Sequence, residues 1–154
     1  MMLNVGDKVP DFLAKDEDGN DMSLKNYLGK KVVLYFYPKD DTPTCTKQAC
    51  NLRDNYKKLK SEGYEIFGVS ADNETSHKKF IKKYDLPFKL IADMDTRINE
   101  LFGVWQEKTT FGKTYMGTVR TTFIINEKGI IDKIISKVVS AEHAAQILNS
   151  NTIK

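Results

Sequence analysis

From Val32 through Val33, Leu34, Tyr35 and Phe36 to Tyr37 the chain carries an unbroken run of apolar, β-branched and aromatic side chains, closed by Pro38. Successive side chains of a strand point to opposite faces, so a strand with no polar member has to be buried on both. Residues 31–37 therefore belong in the interior of a sheet with helices packed on each side. Tyr64–Ser70 reads as a second buried strand.

The rest of the chain alternates around these two strands. Residues 43–62 have helical spacing, with Leu52, Tyr56 and Leu59 on one stripe and Gly63 as the stop. Glu74–Tyr84 reads as a second helix that ends near Leu86-Pro87. Residues 88–91 form a short strand and residues 95–102 a short helix stopped at Gly103. Residues 119–125 and 130–139 are strands joined across Asn126-Glu127-Lys128-Gly129, and residues 140–148 a last helix with Ser140 as N-cap. Ahead of the first buried strand, Gly19 turns the chain between extended segments at 11–15 and 21–24. This order predicts an α/β protein of thioredoxin-like fold. Its mixed central sheet is flanked by helices, with an N-terminal extension and an inserted segment around 88–102. Residues 1–154 are expected to form a single domain.

Composition removes whole classes. With 40% hydrophobic and 29% charged residues the chain is globular, neither disordered nor collagen-like. The net charge of +3 leaves 24 basic residues largely offset by 21 acidic ones, with no concentrated basic face for nucleic acid. The lysines at 57–60 and 78–83 have apolar residues at helical spacing between them and read as solvated helix faces. Residues 1–7 lack the basic and apolar regions of a signal peptide, and no apolar run is long enough for a bilayer. The expectation is a soluble cytoplasmic protein with no membrane partner.

Cys45 and Cys50 are the only cysteines. Two thiols are no disulfide framework of the secreted kind. Cys45 falls at the predicted start of the 43–62 helix, where the macrodipole favours a thiolate, the form of cysteine that is nucleophilic. A free thiol has a pKa near ~8.5, so a peroxide-reducing cysteine needs help to ionise and donors around its target oxygens. Thr42, three residues earlier, offers a hydroxyl to the sulfur and to a bound peroxide, while Pro38 and Pro43 stiffen the loop. Arg120, at the start of a strand, is the best candidate for the missing cation.

Cys50 makes the mechanism sharper. On an ideal helix a five-residue separation puts α-carbons roughly 8–9 Å apart, whereas a disulfide tolerates about 7 Å. A bridge between the two thiols therefore requires the first turns to unwind. Other readings stay open. Both cysteines can be small core hydrophobes. A disulfide reductase prefers Cys-x-x-Cys to the Cys-x4-Cys found here, and a redox sensor would bind a partner on oxidation. Zinc lacks a second ligand pair. His77 and His143 lie on different helices and read as surface residues. Asp40-Asp41 reads as turn and solubility residues, and Phe102, Trp105, Phe111 and Tyr115 as closing a hydrophobic edge. No phosphate loop, serine elbow or dinucleotide fingerprint is present.

Pro38-x3-Thr42-x2-Cys45, within the wider run 35–50, resembles the peroxiredoxin active-site signature, specifically that of the peroxiredoxin Q or bacterioferritin comigratory protein subfamily. The resemblance runs from Gly6-Asp7-Lys8-Val9-Pro10-Asp11-Phe12 through Arg120-Thr121-Thr122-Phe123-Ile124-Ile125 to Gly129. It implies a thioredoxin-like fold and thiol-dependent reduction of hydrogen peroxide and alkyl hydroperoxides, without metal or bound cofactor. It also implies Cys45 as the peroxidatic cysteine, Thr42 and Arg120 as its activating and positioning partners, Pro38 as a pocket residue and Cys50 as the resolving cysteine. Thioredoxin as reductant and a monomeric state are implied likewise. Thr44 stands where glycine is common in that subfamily.

Overall fold

The computed structural model describes residues 3–149. In chain order these give β1 (Leu13–Lys15), β2 (Asp21–Ser23), β3 (Lys31–Phe36), α1 (Pro43–Asp54), α2 (Tyr56–Ser61), β4 (Tyr64–Ser70) and α3 (Glu74–Tyr84). There follow β5 (Lys89–Ala92), α4 (Arg97–Leu101), β6 (Trp105–Thr110), β7 (Lys113–Thr118), β8 (Thr121–Ile125), β9 (Ile131–Ile135) and α5 (His143–Leu148). Seven strands make one sheet in the order β2-β1-β5-β4-β3-β8-β9. β3 runs parallel to β4 and β4 parallel to β5; every other pairing is antiparallel. This is the mixed sheet of a thioredoxin-like fold.

β3 lies in the interior of the sheet, between β4 and β8, as its composition requires. Val33, Tyr35 and Tyr37 enter the core layer that holds Ala49 and Leu52 of α1, Leu59 of α2, Phe80 of α3 and Ile147 of α5. Val32, Leu34 and Phe36 enter the opposite layer with Phe67, Ile98, Phe102 and Phe123. Phe36, Phe102 and Phe123 pack ring against ring with centroids 5.1–5.7 Å apart. β3 ends at one end of this sheet, and there the chain turns into α1.

Several expectations need correcting. The helix over 43–62 is two helices, interrupted at Asn55, whose side chain donates to the Asn51 carbonyl at 2.9 Å. Ser140 caps no α-helix; it opens a 3-10 turn, Ser140–Glu142, and α5 starts at His143. The 119–125 and 130–139 strands shrink to β8 and β9. The aromatics expected to close a hydrophobic edge separate: Phe102 is buried within the core layer, Trp105 is half-buried, and Phe111 and Tyr115 are exposed on a two-stranded arm, β6–β7, which the sequence did not suggest. Its two-residue turn, Phe111-Gly112, has positive φ at both positions (52° and 76°), as a type I′ hairpin needs.

His77 and His143 are not surface residues. Both are fully buried. The Asp40-Asp41 pair likewise splits: Asp41 is exposed, but Asp40 is buried and accepts hydrogen bonds from Tyr37, Ser76 and His77.

Candidate active site

The end of β3 and the start of α1 are joined by residues 37–42, and Asp41 takes a left-handed conformation (φ 57°) to make the turn. Pro43 occupies the first helical position, where its missing N–H costs nothing and its fixed φ suits the helix. Thr42 is the N-cap, yet its hydroxyl accepts no helix N–H and instead donates to the Lys39 carbonyl at 2.9 Å. The loop is thereby tied to itself. Cys45 falls in the first turn of α1, at its positive end.

Cys45 is 2% exposed and joins the apolar layer of Tyr35, Tyr37, Ala49 and Leu52. One side of its sulfur is polar. Arg120, one residue ahead of β8, donates from Nη2 to Sγ at 3.1 Å and from Nη1 to Gln48 Oε1 at 2.5 Å. Cys45 and Gln48 are three residues apart and share a face of α1, so one guanidinium fork spans both. Gln48 is buried, and its Nε2 makes no hydrogen bond among the described residues. No carboxylate pairs with Arg120 among the described residues. Its charge is left facing the sulfur.

The groups around this pair are neutral. Burial pushes the phenols of Tyr35 and Tyr37 well above their usual range, with nearby negative charge adding to the effect. His143 is held down to about 4, mainly by burial, with the charge of Arg120 acting the same way. Its Nδ1–H donates to Gln146 at 2.8 Å, and Nε2 accepts from the Thr122 hydroxyl at 2.8 Å. A neutral imidazole fits both partners.

Of the residues singled out in the sequence, Cys45 and Arg120 are in contact. Pro38 and Thr42 are half-buried in the adjoining loop, and the Thr42 hydroxyl proton is committed to the backbone. Cys50 is half-buried on the same helix, and both cysteines are free thiols. Thr44 is exposed and does not take a positive φ, so the backbone there has no need of glycine. Gln48 went unnoticed in the sequence, although its three-residue spacing from Cys45 marked the face. Two groups, Asp40–Asp72–His77 and Asp16–Glu17–Asp18, bring metal-type ligand atoms within 4.8 Å of one another. In both, those atoms are engaged by protein donors, including Tyr37 and Ser76 in the first and Lys89 in the second.

A thiol on a thioredoxin-like scaffold, at a helix N-terminus and under an uncompensated guanidinium, defines a class of thiol-reactive redox protein. Residues 5–134 match the model of the AhpC/TSA family. Among curated proteins, a bcp peroxiredoxin of Coxiella burnetii is 45% identical over 148 residues, covering 96% of this chain and 98% of its own. Peroxiredoxin Bcp of Bacillus subtilis is 42% identical over 150 residues, 97% of this chain and 96% of its own. A solved structure of the bacterioferritin comigratory protein of Xanthomonas campestris, studied for alkyl peroxide reduction, superposes with a TM-score of 0.85. It is 31% identical and covers 92% of this chain and 90% of that one. The chain belongs to the peroxiredoxins, enzymes that are thiol peroxidases, and within them to the Bcp or peroxiredoxin Q branch. Among the described residues no helix is long and apolar enough to cross a membrane.

Proposed function

We propose that Cys45 is the peroxidatic residue and that the chain reduces hydrogen peroxide and alkyl hydroperoxides through a Cys45–Cys50 disulfide. The observation that carries this is the 3.1 Å contact between Arg120 Nη2 and Cys45 Sγ. The Cys45 thiolate attacks the terminal peroxide oxygen. The oxygen–oxygen bond breaks, its electron pair leaves with the alkoxide or hydroxide, and that group takes up a proton. Cys45 becomes a sulfenic acid. Arg120 holds the thiolate and stabilises negative charge on the departing oxygen, as preorganised donors do in a site shielded from water. Pro38 walls the loop side of the pocket, and Thr42 keeps the loop in register through Lys39 while its oxygen remains an acceptor for peroxide.

Cys50 then attacks the sulfenyl sulfur. A sulfur–sulfur bond forms, the sulfur–oxygen bond breaks, and the hydroxide leaves as water with a proton. Both cysteines sit on the uninterrupted helix α1, so residues 43–50 must unwind for this step. One chain of one domain holds both thiols, which suits a monomer. Thioredoxin or a similar dithiol restores the pair by exchange, and that need for a low-potential dithiol favours the cytoplasm.

The test is hydroperoxide consumption by the reduced protein with thioredoxin and its reductase. Activity that disappears in Cys45→Ser is the expected result. Retained turnover in that variant would overturn the assignment.

A further inference from the structure

Asp40, in the loop that leads to Cys45, forms a buried pair with His77 of α3. The ring Nδ1 lies 2.7 Å from Asp40 Oδ2, and Nε2 lies 2.9 Å from the Ile91 carbonyl of β5. Both partners are acceptors. A neutral imidazole has one N–H, so it would leave an unprotonated nitrogen against one of two buried acceptors. Asp40 is also surrounded by donors: the Tyr37 hydroxyl at 2.6 Å from Oδ1 and the Ser76 hydroxyl at 2.8 Å from Oδ2. This is the setting of an ionised carboxylate facing an imidazolium.

The pair joins the active-site loop to α3 and β5. The Asp40 backbone N–H donates to Asp72 Oδ2 at 2.8 Å, and Ser70 holds the same carboxylate at 2.7 Å. Asp41, next along, meets Lys83 at 2.8 Å and Tyr84 at 3.0 Å on α3. Thr42 follows, and its carbonyl accepts the Thr46 N–H of α1 at 2.8 Å. Every residue from Asp40 to Thr42 is therefore fixed, and Cys45 is carried one turn beyond. The titratable groups facing the ring are Asp40 and Asp72, with Tyr37 reached through Asp40.

Resting on the reading of Cys45 given above, we infer that His77 is a positioning residue for the peroxide reaction. It stands as an imidazolium whose bond to Asp40 holds the 37–42 loop in the shape that receives a hydroperoxide. Burying two charges costs desolvation, and apolar packing would serve stability as well. An ion pair here buys geometry: Asp40 is restrained from three directions at once.

The experiment compares two reactions of the same sulfur in His77→Gln and in the wild type. One is the second-order oxidation of Cys45 by hydrogen peroxide. The other is its alkylation by iodoacetamide, which needs the thiolate but no shaped peroxide pocket. The expected result is a fall of roughly 10- to 100-fold in oxidation, in the range seen for misplaced catalytic groups, with alkylation within about twofold. Nitrogen-15 NMR of the wild type at pH 7 should show both His77 ring nitrogens protonated. Equal oxidation rates in the two proteins, a parallel fall in both reactions, or a neutral His77 ring would overturn the inference. If His77→Gln does not fold, Tyr37→Phe, which deletes one hydrogen bond to Asp40, gives the same comparison. A selective fall in oxidation is then expected, and unchanged oxidation contradicts the inference. Failure of the wild type to react with peroxide at Cys45 would instead remove the parent reading.

Discussion

Arg120 reaches Cys45 and Gln48 with the two arms of one guanidinium, at 3.1 Å to the sulfur and 2.5 Å to the amide oxygen. A neutral amide orients the arginine without cancelling its charge, which a carboxylate in the same place would do. The fork makes a substitution series informative. Arg120→Lys keeps a positive charge but cannot span both partners, so the rate constant of Cys45 with hydrogen peroxide should fall roughly 10-fold or more. Arg120→Met removes charge and donors together, and the fall should reach roughly 100- to 1000-fold. Stopped-flow oxidation measures both.

The unwinding of α1 should have a boundary. Asn51 donates to the Ala141 carbonyl at 2.8 Å and accepts from the Ala144 N–H at 2.7 Å, which pins the second half of the helix to the start of α5. Hydrogen exchange should show amides of residues 46–50, the first of α1 with helical acceptors, protected in the reduced protein and open in the disulfide form, with protection kept from Leu52 onward. Equal protection of residues 46–50 in both forms would contradict the unwinding.

The two buried histidines should tilt the pH dependence of stability in opposite directions. His143 is lowered to about 4, mainly by burial, from a value near 6.5 in the unfolded chain. Its stabilisation is complete above pH 6.5 and is lost as the pH falls toward 4, a change of roughly 3 kcal/mol. For His77, burial alone would lower the value, but the hydrogen bond and charge of Asp40 outweigh it and the result is raised above 6.5. That contribution is complete below pH 6.5 and fades as the pH rises through the raised value. Urea unfolding from pH 4 to 9 should show both slopes. His143→Asn should flatten the acid side, and His77→Gln the alkaline side.

Gly68 on β4 keeps space for Tyr35. A Cβ there would lie 2.7 Å from Leu90 Cδ2 and 2.8 Å from Tyr35 Cζ. Tyr35 is fully buried in the layer that holds Cys45, so it has little room to move. Gly68→Ala should cost about 1–3 kcal/mol in urea unfolding, the usual penalty for overpacking.

How much of this was legible in the sequence follows from how far each signal reaches. Residues 31–37 have one solution, a central strand, because no polar face is available to expose. Cys45 was visible as a thiol after a strand and at a helix start, and Arg120 as the one well-placed permanent cation. Gln48 could have been read from helical spacing. His77 was not legible: its partner Asp40 lies 37 residues away, and only the packing of α3 against the loop brings them together. The same holds for Asp40, which in sequence is indistinguishable from its exposed neighbour Asp41. The β6–β7 arm escaped because most of its residues face solvent, which leaves no hydrophobic period to detect.

Intact-protein and peptide mass spectrometry after one equivalent of hydrogen peroxide bears most directly on the claim that Cys45 takes the oxygen. The wild type should become about 2 Da lighter, with Cys45 and Cys50 linked in one chain, and Cys50→Ser should become about 16 Da heavier with the oxygen on Cys45. Oxidation located at Cys50 in the presence of an intact Cys45, or no mass change at all, would contradict it.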